Sequence, residues 1–342
     1  TWTNASQGYT GADVRDVQVN PEAPAELYAT GRTGGFRTIN GGKEWKGIGY
    51  GPAGTEMIAL SAVDDSFDTL YAVTDGELDV KVSRNGGQSW EYLFMLDSAQ
   101  TDARGFHRFS DIEVAPSNPQ IIYTGTEAID NIGVLDPNGN TSYGMYKSSD
   151  GGQSWASISN GLPPASRIIN TIAINPLDPN IVYIGTYNDG IYRSIDGGAS
   201  WEALNNGLGS SDIRSIAIDP VNPEVIYAGS GNGLGIFKSE NGGELWVDSN
   251  MGISLTCPSY LGSFGNGAEG MDLKKAPALM SPSDYQNIQW TKITDIAIDP
   301  SDPDRVFAAD FSAGIHYSAD AGQSWALINE GISLRTATCL DI

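Results

Sequence analysis

An eight-residue segment ending in tryptophan recurs six times along the chain. The copies are TINGGKEW (38–45), SRNGGQSW (83–90), SSDGGQSW (148–155), SIDGGASW (194–201), SENGGELW (239–246) and SADAGQSW (318–325). Successive tryptophans stand 45, 65, 46, 45 and 79 residues apart. A period near 45, twice lengthened by insertions, requires a repeat architecture, a propeller or a solenoid, in place of one irregular core.

Each box is preceded by two further recurring runs, as in IAINPLDPNIVYIGT (172–186) and IAIDPVNPEVIYAGS (216–230). Each reads as strand, Pro-rich turn, strand. A third strand (GIYRS, GIFKS) enters the box and a fourth leaves through the tryptophan (SWEAL). Four short antiparallel strands per repeat, arranged in a ring, make an all-β protein of the β-propeller class. The units run over about 12–49, 56–94, 109–160, 168–206, 212–250 and 291–330, in one domain covering 1–342, with insertions at 93–109, 127–143 and 250–290.

The box letters suit a hairpin turn. Asp150, Asp196 and Asp320, with Asn40, Asn85 and Asn241 in the other copies, can accept backbone N–H bonds across it. The glycines admit positive φ, and Trp45, Trp90, Trp155, Trp201, Trp246 and Trp325 can each bury a ring against the adjoining sheet. Six equivalent copies argue for a structural role and against catalysis.

The pattern Ser/Thr-x-Asp-x-Gly-x-x-Trp resembles the Asp-box, or BNR, repeat of sialidases, xyloglucan-degrading glucanases, sortilin-type receptors and photosystem II assembly factors. It covers almost the whole chain and speaks to fold far more than to function. The ends extend it. TWTNASQGYTG (1–11) matches the stretch just after a box, so Trp2 reads as the remnant of another, and TATCLDI (336–342) matches a first strand. Six complete blades flanked by these pieces lead to the expectation of seven blades, with the chain continuing past Ile342 or an unusual closure. A start at Thr1, not Met, is what removal of a leader or upstream portion would leave.

In an up-and-down blade the boxes and Pro-rich turns share one face, so all three insertions fall on the other, the expected binding face. There, Arg104, His107 and Arg108 in RGFHR could meet an anionic or carboxylate ligand, or pair with surface carboxylates. Asp130, Asp136, Asn138 and Asn140 carry oxygens at spacings that would suit calcium, although no EF-hand Glu comes after them and a solvated turn is the simpler reading. Tyr143, Tyr260, Tyr285 and Trp290 suit sugar stacking, a protein contact or a small core within the insertions.

Composition narrows the partners. Nineteen Lys and Arg against 42 Asp and Glu leave a net charge of −23, which disfavours nucleic acid and anionic lipid. No run approaches the ~20 apolar residues of a membrane span. Cys257 and Cys339 match no metal, haem or redox spacing; they form a disulfide or two buried thiols.

Enzymatic readings fare poorly. The arginine triad and the Arg-Ile-Pro signature that a sialidase resemblance implies are not evident. The glucanases resemble this chain near LYATGRTGGFRT (27–38), where the place of their catalytic aspartate is taken by Arg32, and a guanidinium cannot act as general base. With His107 and His316 the only histidines, and His316 in a third-strand position, serine-type hydrolysis is unsupported. The expected function is a non-catalytic extracytoplasmic scaffold, at a cell surface, in a periplasm or secreted, that needs no cofactor and binds a protein or glycan on the insertion-bearing face within a larger assembly. The alternative is a glycoside hydrolase acting on polysaccharide.

Overall fold

The computed structural model describes residues 7, 14–48, 57–63, 66–74, 79–95, 107–128, 144–163, 168–255, 291–330 and 337–342. Every regular element among them is a strand, and the 24 strands form six four-stranded antiparallel sheets. The first comprises β1 (Val14–Val19), β2 (Leu27–Gly31), β3 (Gly34–Thr38) and β4 (Lys46–Ile48); the second, β5 (Met57–Ala62), β6 (Leu70–Thr74), β7 (Asp79–Ser83) and β8 (Glu91–Met95). The third holds β9 (His107–Val114), β10 (Ile122–Ala128), β11 (Met145–Ser148) and β12 (Ala156–Ser157); the fourth, β13 (Ile169–Ile174), β14 (Val182–Thr186), β15 (Ile191–Ser194) and β16 (Glu202–Ala203). The fifth holds β17 (Ile213–Ile218), β18 (Ile226–Ser230), β19 (Ile236–Ser239) and β20 (Val247–Asp248); the sixth, β21 (Ile293–Ile298), β22 (Val306–Asp310), β23 (Gly314–Ser318) and β24 (Ala326–Leu327).

Within each sheet the strands run up and down in sequence order, so the chain makes one blade per repeat. The β-propeller with four-stranded antiparallel blades expected from the repeat is present, with six blades among the described residues. Strand limits bound two of the insertions: β8 continues to Met95, β9 starts at His107, β10 reaches Ala128 and β11 starts at Met145, leaving 96–106 and 129–144 between strands.

The sheets join through apolar layers. Val82, Ile112 and Tyr146 share a core across the second and third sheets, and Tyr183, Ile213, Phe237 and Trp246 share one across the fourth and fifth. Apolar side chains buried against the next blade supply the non-directional attraction that holds such a ring.

The boxes are the directional part of these joints. In the third, Ser148 Oγ donates to Asp150 Oδ1 (2.8 Å) and accepts from Gly152 N (2.8 Å), while Ser154 N and Oγ donate to Asp150 (2.8 and 2.6 Å). The same bonds recur around Asp196 and Asp320. Asn40, Asn85 and Asn241 accept the corresponding amide. Gly152 has φ +85° and lies against Leu93 and Tyr71 of the preceding blade, so a side chain there would be both strained and obstructed.

A tyrosine from the preceding blade adds to three of these joints. Tyr28, Tyr71 and Tyr183 hydroxyls donate to the carbonyls of Gly86, Gly151 and Gly242 (3.3, 3.0 and 3.0 Å). Indole N–H groups reach back too, from Trp201 to Ile158 O (2.7 Å) and from Trp246 to Leu204 O (2.8 Å). Trp155 instead bonds within its own turn, to Gly152 O (3.0 Å), and stacks on Phe94.

Candidate functional site

The innermost strands line a central channel of about 430 Å³. All six share one irregularity: pairing with the second strand slips at Arg15, Ile58, Ser110, Asn170, Arg214 and Thr294. A bulge leaves one residue outside the ladder and re-aims its side chain. All six of these residues line the channel, at the end of each inner strand that faces the insertions.

Two of the six are arginines in a chain of net charge −23. Arg214 pairs with Asp212 (Nε to Oδ1, 2.7 Å) and its guanidinium lies 5.3 Å from the Tyr187 ring centre. Asn170 donates to Asp212 Oδ1 (3.3 Å) and to Ile213 O (2.8 Å), fixing the neighbouring rim. Lys292 stands beside them, 5.6 Å from the exposed ring of Phe311. Its ammonium forms no ion pair among the described residues, and burial, then repulsion from Arg214, lowers its pKa. An aromatic and cationic rim around Arg214 and Lys292 is therefore poised for an anionic group.

Deeper in the channel the charge reverses. Asp16, Asp111, Glu113 and Asp295 approach one another, joined by Asp341 from the C-terminal segment. Burial is the main cause that pushes all five carboxyls up, Asp111 and Asp295 to about 7. Repulsion from Asp111, Asp16 and Asp295 raises Glu113 further.

These carboxylates join blades. Asp16 Oδ2 accepts from Leu60 N (2.9 Å), Asp111 Oδ2 from Ile172 N (2.7 Å) and Asp295 Oδ2 from Leu340 N (2.7 Å). Asp341 accepts from Val19 N, and Glu113 from the Ser61 hydroxyl (3.5 Å). Such bonds favour the charged form and offset part of the desolvation.

Of the ligand-contacting residues expected from sequence, His107 and Arg108 begin β9, paired with Ala128 and Glu127. Arg104, Tyr143, Tyr260, Tyr285 and Trp290 lie outside the described residues, as do Asp130, Asp136, Asn138, Asn140 and Cys257. Among the described residues no group of three or more His, Cys, Asp or Glu is arranged to hold a metal ion. Cys339 is a free thiol in the channel wall, pushed up by burial. His316 is buried in β23, its Nε2 3.2 Å from Asp310 Oδ2, in keeping with a structural role. Arg32 sits exposed in the turn between β2 and β3.

The bulge residues and channel carboxylates escaped sequence reasoning. A usable signal existed: Asp16, Asp111 and Asp295 occupy one repeat position, where other copies have Ala59, Thr171 and Ser215.

No helix among the described residues is long and apolar enough to cross a membrane. No family description and no curated protein matches the chain. Solved structures do. YCF48 bound to D1 peptide is 16% identical over 97% of this chain and 87% of that one, with a TM-score of 0.56. An ancestral GH74 enzyme is 17% identical over 92% of this chain but only 37% of its own, with a TM-score of 0.62. The WD40 repeats of RRP9 reach a TM-score of 0.60 at 10% identity, covering 94% of this chain and 81% of that one. The protein is thus a β-propeller, similar in fold to YCF48 and to that ancestral GH74 enzyme. At such identities the likeness defines the fold and leaves activity to the site.

Proposed function

We propose that the chain is a non-catalytic binding propeller that holds an acidic segment of a partner protein at the insertion-bearing mouth of its channel. The observation that carries this reading is the engagement of Asp16, Asp111, Asp295 and Asp341 by backbone amides of the adjoining blade or terminal segment. A glycosidase needs two carboxyls facing across an open cleft, one free to deliver a proton. Here the carboxyls are committed to ring assembly, and Arg32 stands where a glucanase would place an aspartate.

The rim supplies the recognition chemistry, with Arg214 and Lys292 for carboxylates and Tyr187 and Phe311 for apolar contact. A related fold, YCF48, has been solved with a peptide bound. The six box turns support reading the repeat as an Asp-box, and the sequence pieces at either end support a seven-bladed ring. On the same reading the protein works outside the cytoplasm, within a surface or envelope assembly.

Glycan hydrolysis is the second reading. The raised carboxyls in the channel favour it, because perturbed groups in a cleft mark functional sites as well as structural networks. Fluorescent peptides differing only in Glu or Gln content, titrated against the native chain and the Arg214→Ala/Lys292→Ala variant, test the proposal. Acidic peptides should bind saturably, and the variant should bind them at least tenfold more weakly. Equal binding by both proteins, or no preference for Glu over Gln, would overturn it.

A further inference from the structure

The Pro-rich turns bond only through the backbone of the residue that follows their first proline. Leu177 N donates to Asn175 Oδ1 and Val221 N to Asp219 Oδ1 (2.8 Å each), as Glu22 N donates to Asn20 Oδ1 and Ser301 N to Asp299 Oδ1 (3.0 and 2.9 Å). Glu22, Ser117 and Ser301 hold this place in the first, third and sixth blades, so the turn forms without an apolar side chain. The fourth and fifth blades nevertheless present Leu177 and Val221 there, 70 and 68% exposed.

The box turns of the same two blades add Ile195 and Leu245, 63 and 46% exposed. Leu245 also departs from the repeat, because Ser89, Ser154, Ser200 and Ser324 stand at its place in other copies. The four aliphatic residues share one end of two adjoining blades. Within each blade the two turns are tied together, by Gly197 N donating to Asn180 O and Gly242 N to Glu224 O (2.9 Å each). Arg193 ties the blades to each other, reaching from β15 to Gly242 O (3.0 Å) and Glu244 Oε1 (2.7 Å). Residues 168–255, which hold all four turns, are described without a break, and the three insertions are joined to the opposite ends of strands.

The cations at this end are already engaged. Arg193 pairs with Glu202 and Glu244, Lys238 pairs with Glu240, and Lys147 donates to Gly197 O. Asp178, Asp196 and Glu224 form no ion pair among the described residues. We propose that this surface docks a cationic segment of a partner protein, one that carries aliphatic side chains among its lysines or arginines. The four aliphatic residues would give apolar contact, and the three carboxylates would select the charge of the partner. Because Asn175 and Asp219 already hold the turns, docking orders little that is not ordered beforehand. The proposal is independent of the reading of the channel mouth, which lies at the other end of the strands.

Leu177→Ser/Val221→Ser gives the fourth and fifth blades the residue of the third and sixth, so the thermal melt should match that of the native chain. A labelled amphipathic peptide of leucine and lysine, and the same peptide with its leucines replaced by serine, are titrated by anisotropy against the full chain, this variant and Asp178→Asn/Glu224→Gln. The expected result is saturable one-to-one binding of the leucine peptide, weakened at least tenfold by the serine variant and by loss of the leucines, and weakened also by the Asn/Gln variant. Equal binding by the native chain and either variant, equal binding of both peptides, or no binding would each overturn the proposal. So would self-association of the native chain that the serine variant lacks, since the occupant would then be a second copy.

Discussion

Asp295→Asn isolates the cost of the channel charge. The residue is half-buried in the channel wall, its carboxyl accepts from Leu340 N and Ile296 N (2.7 and 2.8 Å), and desolvation is the main cause that raises its pKa from 3.8 to about 7. Asparagine preserves an acceptor and removes the charge. Because the folded-state value is raised, the native chain binds the proton more tightly than the unfolded one between roughly pH 4 and 7. The stabilisation is therefore complete below about pH 4 and is lost as pH rises through 7. From 3.8 to about 7 the loss is ~4 kcal/mol, at about 1.4 kcal/mol per pH unit. Urea unfolding of both proteins at pH 4.5, 5.5, 6.5 and 7.5 measures it. The variant should gain on the parent by about 1.4 kcal/mol per pH unit and level off above pH 7. A difference independent of pH, or a variant less stable at pH 7.5, would refute the argument that a costly desolvated charge persists there.

Other consequences are smaller in scope. Trp246→Ala removes a ring 1% exposed and its bond to Leu204 O, and should lower unfolding free energy by ~3–5 kcal/mol in urea; Trp155→Ala, at a half-buried position bonded within its own turn, should cost less. Tyr183→Phe deletes the hydroxyl on Gly242 O and should cost about 1 kcal/mol in the same assay. Asp196 and Asp320 are held at about 2 by serine hydroxyls and amides. Their contribution is present above about pH 4 and lost as pH falls towards 2, so Asp196→Ala should flatten the acid limb of a thermal melt monitored by circular dichroism.

How far each determinant could be read in advance depends on how local it is. Ser148, Asp150, Gly152 and Ser154 bond to one another within seven residues, so the box announces its turn in any window that contains it. The Pro-rich turns are equally self-contained, as at Asn175, whose side chain accepts from Leu177 N and Asp178 N. The channel is different. Asp16 meets Leu60, and Asp111 meets Ile172, partners 44 and 61 residues away that only ring closure brings together. The bulges at Arg15 and Arg214 carry no glycine or proline to mark them; they are visible only as register slips. Reasoning from insertions directed attention to one end of the blades, whereas the rim residues described at that end, Asn170, Arg214 and Lys292, come from inner strands and the residue just before one.

The most direct measurement is incubation of the chain with a panel of xyloglucan, other β-glucans and sialylated glycans between pH 5 and 7, with products identified by mass spectrometry. The account predicts no release of oligosaccharide or sialic acid at any pH. Turnover that persists on purification and is abolished by Asp111→Asn or Glu113→Gln in folded protein would contradict it, and would reassign the channel carboxyls from joining blades to catalysis.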